Sequence, residues 1–403
     1  MFYKIVNGDC LDVMKTMPAE SVDSIVTDPP YGLKFMSKTW DHGIPGKEFW
    51  IEALHVAKPG AHLLAFGGTR TFHRLACAIE DAGWELRDCI GWVYGSGFPK
   101  SLDVSKAIDK MFGQEREVVG YDKSKASPNK ENFAKRTDRQ PTTGAVAGWK
   151  DNGATITAPA TEEAKTWDGW GTALKPAWEP IIVARKPLIG IVAENVLRFG
   201  TGALNIDGCR IELNGEIVPI NKLEKWSGFG QEKCPDYVAT QNIKGRFPAN
   251  LIHDNSEEVL ACFPESKGQQ GDLKGHDKNR KSPNGCFGEM APALDHPARN
   301  DRGSAARFFY AAKTSKSERG EGNTHPTLKP LALMQYLVRL VTLKGGTVLD
   351  PFCGSGSTGV ACMREGMDFF GIEKDKEYCA IAEKRLAPEG TRTEADLEEP
   401  AKC

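Results

Sequence analysis

Residues 347–373 read TVLDPFCGSGSTGVACMREGMDFFGIE. An apolar run, Gly346–Asp350, leads into a glycine-rich turn, a helix start at Ser357 and a second apolar run, Phe369–Glu373. Gly354, Gly356 and Gly359 satisfy GxGxxG, and Glu373 follows Gly354 by nineteen residues. Glycine lets a turn approach a ligand closely, and an acid at the end of the next strand can accept protons from ribose hydroxyls. No Gly-Lys-Ser/Thr follows, which excludes a Walker A phosphate loop. A dinucleotide and S-adenosylmethionine remain as nucleoside ligands. Only one strand follows this loop, so the other strands of the sheet must come from the N-terminal part. The predicted fold is therefore α/β, a doubly wound sheet permuted relative to a dehydrogenase, with its cofactor half last.

The N-terminal hundred residues supply those strands. Tyr3–Val6, Val22–Thr27 and Ala61–Phe66 read as strands, and Glu48–Val56 and Phe72–Ala82 as helices, which is the alternation of a parallel sheet. Pro176–Lys186 restores a strand after a long irregular stretch, and Arg307–Lys313 reads as another. The helices Pro330–Val341, Ser357–Arg364 and Lys376–Arg385 complete the pattern. The second strand ends in Asp28-Pro29-Pro30-Tyr31, at the edge where open α/β sheets bind ligands. Two prolines stiffen the turn and aim the Pro29 carbonyl. That carbonyl and the Asp28 carboxylate can both accept from one amino group. An exocyclic amine on a nucleobase is a poor nucleophile because its lone pair is delocalised. Two acceptors held on it favour the pyramidal geometry needed for attack, and the Tyr31 ring can stack on the base. No metal is required, and none is predicted.

Asp28-Pro29-Pro30-Tyr31, Asp350-Pro351-Phe352-Cys353-Gly354-Ser355-Gly356 and Thr324-His325-Pro326-Thr327-Leu328-Lys329-Pro330 together resemble the β group of DNA amino-methyltransferases. That group has its DPPY motif first and its cofactor loop last. GWVYGSGFPKSLDV, KPAWEPIIVARKP and GRFPANLIHD are similar to its phage and prophage members. The resemblance implies a Rossmann-like methyltransferase sheet, S-adenosylmethionine as cofactor and transfer to an exocyclic amine. Asp28, Pro29, Pro30 and Tyr31 would handle the base. Asp350, Phe352, Gly354, Gly356, Ser357 and Thr358 would form the cofactor loop, and Glu373 would hold the ribose. Asp9 and Cys10 would lie against the cofactor adenine. His325, Thr327 and Lys329 would meet the methionine carboxylate, a role that suits the positive charge of Lys329. Adenine N6 is favoured because the cytosine enzymes more often open the motif with Ser; cytosine N4 stays open. Cys353, where the family often has Ala, suggests a thiol-sensitive site.

The chain carries 52 basic and 54 acidic residues, net -2, which gives no global nucleic-acid signature. The charge is segregated, however. Residues 100–150 hold eleven basic against seven acidic residues, residues 265–319 the same, and residues 387–403 two against five. The first two are candidate contacts for the phosphates of double-stranded DNA, from which the target base must be extruded. The expected organisation is a catalytic half (1–98), a basic DNA-contacting arm (99–175), a return strand (176–187), an inserted target-recognition region (188–305), a cofactor half (306–386) and a disordered acidic tail (387–403). Trp149, Trp167, Trp170 and Trp226 are expected to form a small local core. An apolar share of 40% excludes a disordered chain. Eleven scattered Cys and the absence of a signal-peptide pattern point to the cytoplasm without a membrane span. A homodimer and a cognate restriction enzyme stay open. The rival readings are an RNA or protein-amide methyltransferase, which would not need two basic insertions, and an NAD-dependent oxidoreductase, which Asp28 and the HPTLKP segment oppose.

Overall fold

The computed structural model describes residues 1–32, 43–99, 101–122, 154–213, 219–220, 240–241, 244–266, 302–312, 328–389 and 392–393. The chain divides into two compact units, one formed by residues 1–96 and 177–403 and the other by Gly97–Pro176. Residues 99–175 fall within the second unit.

The larger unit is built on a ten-stranded sheet. Its strands are β1 (Phe2–Asn7), β2 (Val22–Thr27), β3 (Ala57–Phe66), β4 (Glu85–Val93), β5 (Trp178–Arg185), β6 (Leu251–His253), β7 (Tyr310–Ala311), β8 (Thr347–Asp350), β9 (Asp368–Glu373) and β10 (Arg392–Thr393). They lie in the order β7-β6-β4-β5-β3-β2-β8-β9-β1-β10. All pairings are parallel except those of β5, which runs antiparallel between β3 and β4. β2 pairs with β8 and β9 with β1, so the two ends of the chain share one sheet, as the permuted order requires.

The central strands are apolar on both faces, as a covered parallel sheet demands. Val26, Leu64 and Phe66 enter one buried cluster; Ile25, Leu63 and Ala65 enter another. The first cluster takes in helices α5 (Leu331–Val341) and α6 (Ser357–Glu365), and the second α2 (Lys47–Val56) and α3 (Phe72–Asp81). Helix α5 buries eight of its eleven residues, which explains a sequence apolar nearly all round. Shorter or peripheral helices of the unit are α1 (Cys10–Thr16), α4 (Val192–Phe199), α7 (Lys376–Leu386) and the single turn Glu257–Leu260.

Several expectations change. The third strand starts earlier than Ala61: β3 follows α2 directly at Ala57 and runs through Pro59 and Gly60, the latter at φ +79°. The Arg307–Lys313 segment is a 3-10 turn at Ala305–Phe308 followed by a two-residue strand. The expected recognition region 188–305 contributes to the core itself. Asn195 is fully buried and donates to the Pro59 and Thr201 carbonyls, and β6 extends the main sheet. No helix among the described residues is long and apolar enough to cross a membrane. The acidic tail lies outside the described residues from position 394.

The smaller unit has a helix (Val104–Met111), a hairpin of Val118–Asp122 with Ala154–Thr157, and a short helix (Glu162–Thr166). Asp109 organises it. Its carboxylate accepts from Arg116 Nη1, from the backbone N–H groups of Ala160 and Thr161, and from the Thr161 hydroxyl, all at 2.8–3.0 Å. Burial alone would raise the Asp109 pKa, but these donors hold it below the usual carboxylate range. Trp167 and Trp170 pack edge to face at 5.1 Å yet stay 44% and 60% exposed, so they do not form the expected core. Trp149 and Trp226 lie outside the described residues.

Candidate active site

β2 and β8 are neighbours and parallel, so the Asp28-Pro29-Pro30-Tyr31 turn and the glycine turn leave the sheet side by side. A buried hydrogen-bond chain ties them. Asp350, 2% exposed, accepts from Thr27 Oγ1 and from Thr358 Oγ1, each at 2.6 Å, and from the Phe352 N–H at 3.1 Å. Burial pushes its carboxyl up to about 6, against the pull of those three donors. Asp350 and Thr358 thus link the last residue of β2 to the first turn of α6.

The glycine turn needs its glycines for two separate reasons. Gly354 and Gly356 adopt φ of +54° and +79°, which other residues reach only with strain. Gly359 has no room, since a Cβ there would come within 2.6 Å of the Phe369 ring. Glu373 is bound to the turn: its Oε2 accepts the Gly354 N–H at 2.7 Å, and its Oε1 accepts the Asp375 N–H at 2.8 Å. Burial raises its pKa. Each oxygen keeps a second lone pair, as a ribose-binding acid requires. Arg385 Nη1 donates to the Ser355 carbonyl at 2.5 Å and to the Ser355 and Ser357 hydroxyls at 3.1 and 3.2 Å, bracing the turn from α7. The half-buried Phe352 ring lies 6.2 Å from Phe49 and 6.4 Å from Trp50.

At the end of β1, Asp9 caps α1 through the Leu11 N–H at 3.1 Å and pairs with Lys374 at 3.0 Å. Cys10 is buried, and that burial, with the Asp9 charge, pushes its thiol up to about 12. The Cys353 thiol is buried too and held well above its ordinary value, first by burial and then by Asp350 and Glu373. A thiol so held is not a thiolate at neutral pH, so the expected thiol sensitivity is corrected: burial removes the nucleophile.

Around Asp28 the structure assembles more than the motif announces. Tyr31 Oη donates to Asp28 Oδ1 at 2.8 Å, with Glu179 Oε2 at 3.2 Å. Lys329 Nζ lies 3.1 Å from Asp28 Oδ2, 2.9 Å from Glu179 Oε2 and 3.0 Å from Tyr31 Oη. Its ammonium also sits 4.7 Å from the Phe66 ring centre and 5.3 Å from that of Tyr31. Burial would lower the Lys329 pKa, but Asp28 and Glu179 outweigh it and hold it above the ordinary lysine value. Burial and then the same two carboxylates push the Tyr31 hydroxyl well up. Tyr94 Oη donates to Glu179 Oε1 at 3.3 Å; burial, followed by Glu179, raises it to about 12. Pro29 is buried and Pro30 half-buried. Lys329 was expected to meet a cofactor carboxylate; the structure engages it with two protein carboxylates beside the DPPY turn. His325 and Thr327 lie outside the described residues.

A model of the N6/N4 DNA methylase family matches residues 22–384. The chain belongs to that family. Among curated proteins, it is similar to the type II methyltransferase M2.DpnII of Streptococcus pneumoniae, with 42% identity over 90 residues, 22% of this chain and 33% of that one. M.BglI of Bacillus subtilis, also a type II methyltransferase, shares 44% over 66 residues, 16% and 19% of the two chains. The chain thus spans about a third of the length of the first of these relatives and less of the other. A crystal structure of M1.HpyAVI with SAM aligns over 96% of this chain and 99% of that one, at 18% identity and a TM-score of 0.40.

Glu179 is the residue of this candidate site that sequence reasoning missed. It stands at the second position of β5, in a segment read as a strand and as part of the resemblance, with no role given to this residue. Because β5 is antiparallel, its first residues lie where β3 and β4 end, with Phe66 opposite Ile181 and Trp92 opposite Glu179. The available signal was a charged residue before proline inside an otherwise apolar run, Trp178-Glu179-Pro180-Ile181, since a buried acid calls for a partner.

Proposed function

We propose that this chain transfers the methyl group of S-adenosylmethionine to the exocyclic N6 amine of adenine in double-stranded DNA. One observation carries the reading: the Asp28 carboxylate stands at the end of β2, beside the glycine turn that follows the adjacent strand β8. When bound, S-adenosylmethionine supplies a methyl group already activated by its positively charged sulfur. The residues fit such a group. Gly354 and Gly356 hold the turn at positive φ, Glu373 offers acceptors for vicinal hydroxyls, and Phe352 presents a ring. Asp28 and Glu179 against the single charge of Lys329 leave a local excess of one negative charge, which suits a cation.

The chain's own residues do the rest. Asp28 and the Pro29 carbonyl accept from the target amine and draw its lone pair out of conjugation with the ring. Tyr31 offers its face to the base. The base must leave the duplex stack to reach this edge of the sheet, and the basic segments 100–150 and 265–319 supply phosphate-neutralising charge. Asp9 and Cys10 lie at the end of β1 for the adenine of the cofactor. Ser357 and Thr358 brace the turn through Arg385 and Asp350. His325 and Thr327 belong to the proposal through their motif alone, as contacts of the cofactor carboxylate.

The test is purified protein with labelled S-adenosylmethionine and duplex DNA of mixed sequence, followed by digestion to nucleosides. Label in N6-methyladenine is expected. Label in N4-methylcytosine would change the target base, and label in RNA or protein alone would reject the substrate class.

A further inference from the structure

Asp28 must present strong acceptor oxygens to the amine, yet each already carries one donor. Oδ1 accepts from Tyr31 and Oδ2 from Lys329. A second lone pair stays on each oxygen, but the ammonium and the hydroxyl draw on the same negative charge, and the amine is held most strongly when they turn away. In a half-buried site that turn is costly without another partner. An ammonium whose side chain is 10% exposed, stripped of its only counter-charge, would cost several kcal/mol. Glu179 removes that obstacle. The three protons of Lys329 meet three acceptors, Asp28, Glu179 and Tyr31. The Tyr31 hydroxyl lies within reach of either carboxylate, 2.8 and 3.2 Å away. Both donors can therefore turn from Asp28 to Glu179 with almost no movement of heavy atoms.

We infer that Glu179 is a positioning residue for methyl transfer: it holds Lys329 and Tyr31 so that Asp28 is released to the target amine. This rests on the methyl-transfer reading above. Structure alone does not call for the second carboxylate, because one is enough to neutralise Lys329 and another adds like-charge repulsion. Glu179 is itself fixed by Tyr94 at 3.3 Å and by the pairing of β5 with β4. It acts through Asp28 and touches no reacting atom.

The experiment compares wild type with Glu179→Gln, Glu179→Asp and the double variant Glu179→Gln/Lys329→Met. It reads single-turnover methyl transfer to DNA at saturating S-adenosylmethionine, cofactor Kd by calorimetry and folding by circular dichroism. Glu179→Gln should slow transfer by about 10- to 100-fold, the range set by one hydrogen bond to a charged group, with Kd unchanged. In the double variant nothing competes for Asp28 Oδ2, so transfer should be faster than in Glu179→Gln. Glu179→Asp keeps the charge on a shorter stem and should fall between wild type and Glu179→Gln; it serves if Glu179→Gln does not fold. Wild-type rates in either single variant would overturn the inference, as would a double variant no faster than Glu179→Gln. A wild-type protein that transfers no methyl group to any DNA would instead refute the function on which the inference rests.

Discussion

Replacing Asp350 by Asn tests the link between the two strand ends through its pH dependence. Asp350 is buried, and its carboxyl is pushed up to about 6 from an ordinary 3.8. In the unfolded chain the group returns to its ordinary value. Between the two values the folded protein binds the extra proton. The contribution is therefore fully present below about 3.8 and is lost as pH rises through about 6. From pH 4.5 to pH 7.5 the loss amounts to about 2 kcal/mol. Asn is isosteric and does not titrate. It can still meet Thr27 and Thr358, because a hydroxyl donates or accepts as its partner requires. Urea unfolding of wild type and Asp350→Asn at several pH values isolates the effect, since every other group cancels in the difference. The variant should gain about 2 kcal/mol on wild type across that range. Parallel curves would show that the carboxylate is charged in the fold throughout, and the account of the buried chain would fail.

Three further outcomes follow from the same geometry. Glu373→Ala removes both the ribose acceptor and the anchor of the Gly354 N–H, so cofactor affinity should fall at least about tenfold by calorimetry; unchanged affinity would refute the role. Gly359→Ala drives a Cβ to 2.6 Å from the Phe369 ring and should destabilise the unit by about 1–3 kcal/mol, read as a lower urea midpoint. Cys353 should resist alkylation at pH 7 in the folded protein and react on unfolding, as mass spectrometry of the 353-containing peptide would show; fast labelling of the native chain would contradict its burial.

Much of this site was legible because its two motifs are local. The turns after β2 and β8 carry their signals in consecutive residues: two prolines in one, positive-φ glycines in the other. That both belong to one sheet followed from counting strands, since a loop with one strand after it needs neighbours from elsewhere in the chain; that β2 and β8 are adjacent is shown by their pairing. What escaped depended on pairing across long separations. β4 opens with Glu85, Arg87 and Asp88 on an exposed stretch, so no alternation marks it. β6 has only three residues, too few for a period. Glu179 reaches Lys329 and Tyr31 beside Asp28 only because β5 inserts antiparallel between β3 and β4, a register that no window of sequence records. Lys329 was identified as a site residue, but its charge was assigned to a cofactor carboxylate; only the sheet order shows two protein carboxylates within 3.1 Å.

In the proposed reaction, methyl transfer to a DNA amine depends on the Asp28 carboxylate. The direct measurement is to express wild type and Asp28→Ala in a bacterium that lacks DNA methylation and to read modified bases by single-molecule sequencing. Wild type should leave N6-methyladenine in a defined sequence context. Asp28→Ala should leave none, while the purified variant still binds S-adenosylmethionine with near-wild-type affinity. Methylation persisting in Asp28→Ala, or unmodified DNA with the wild-type protein, would contradict the account.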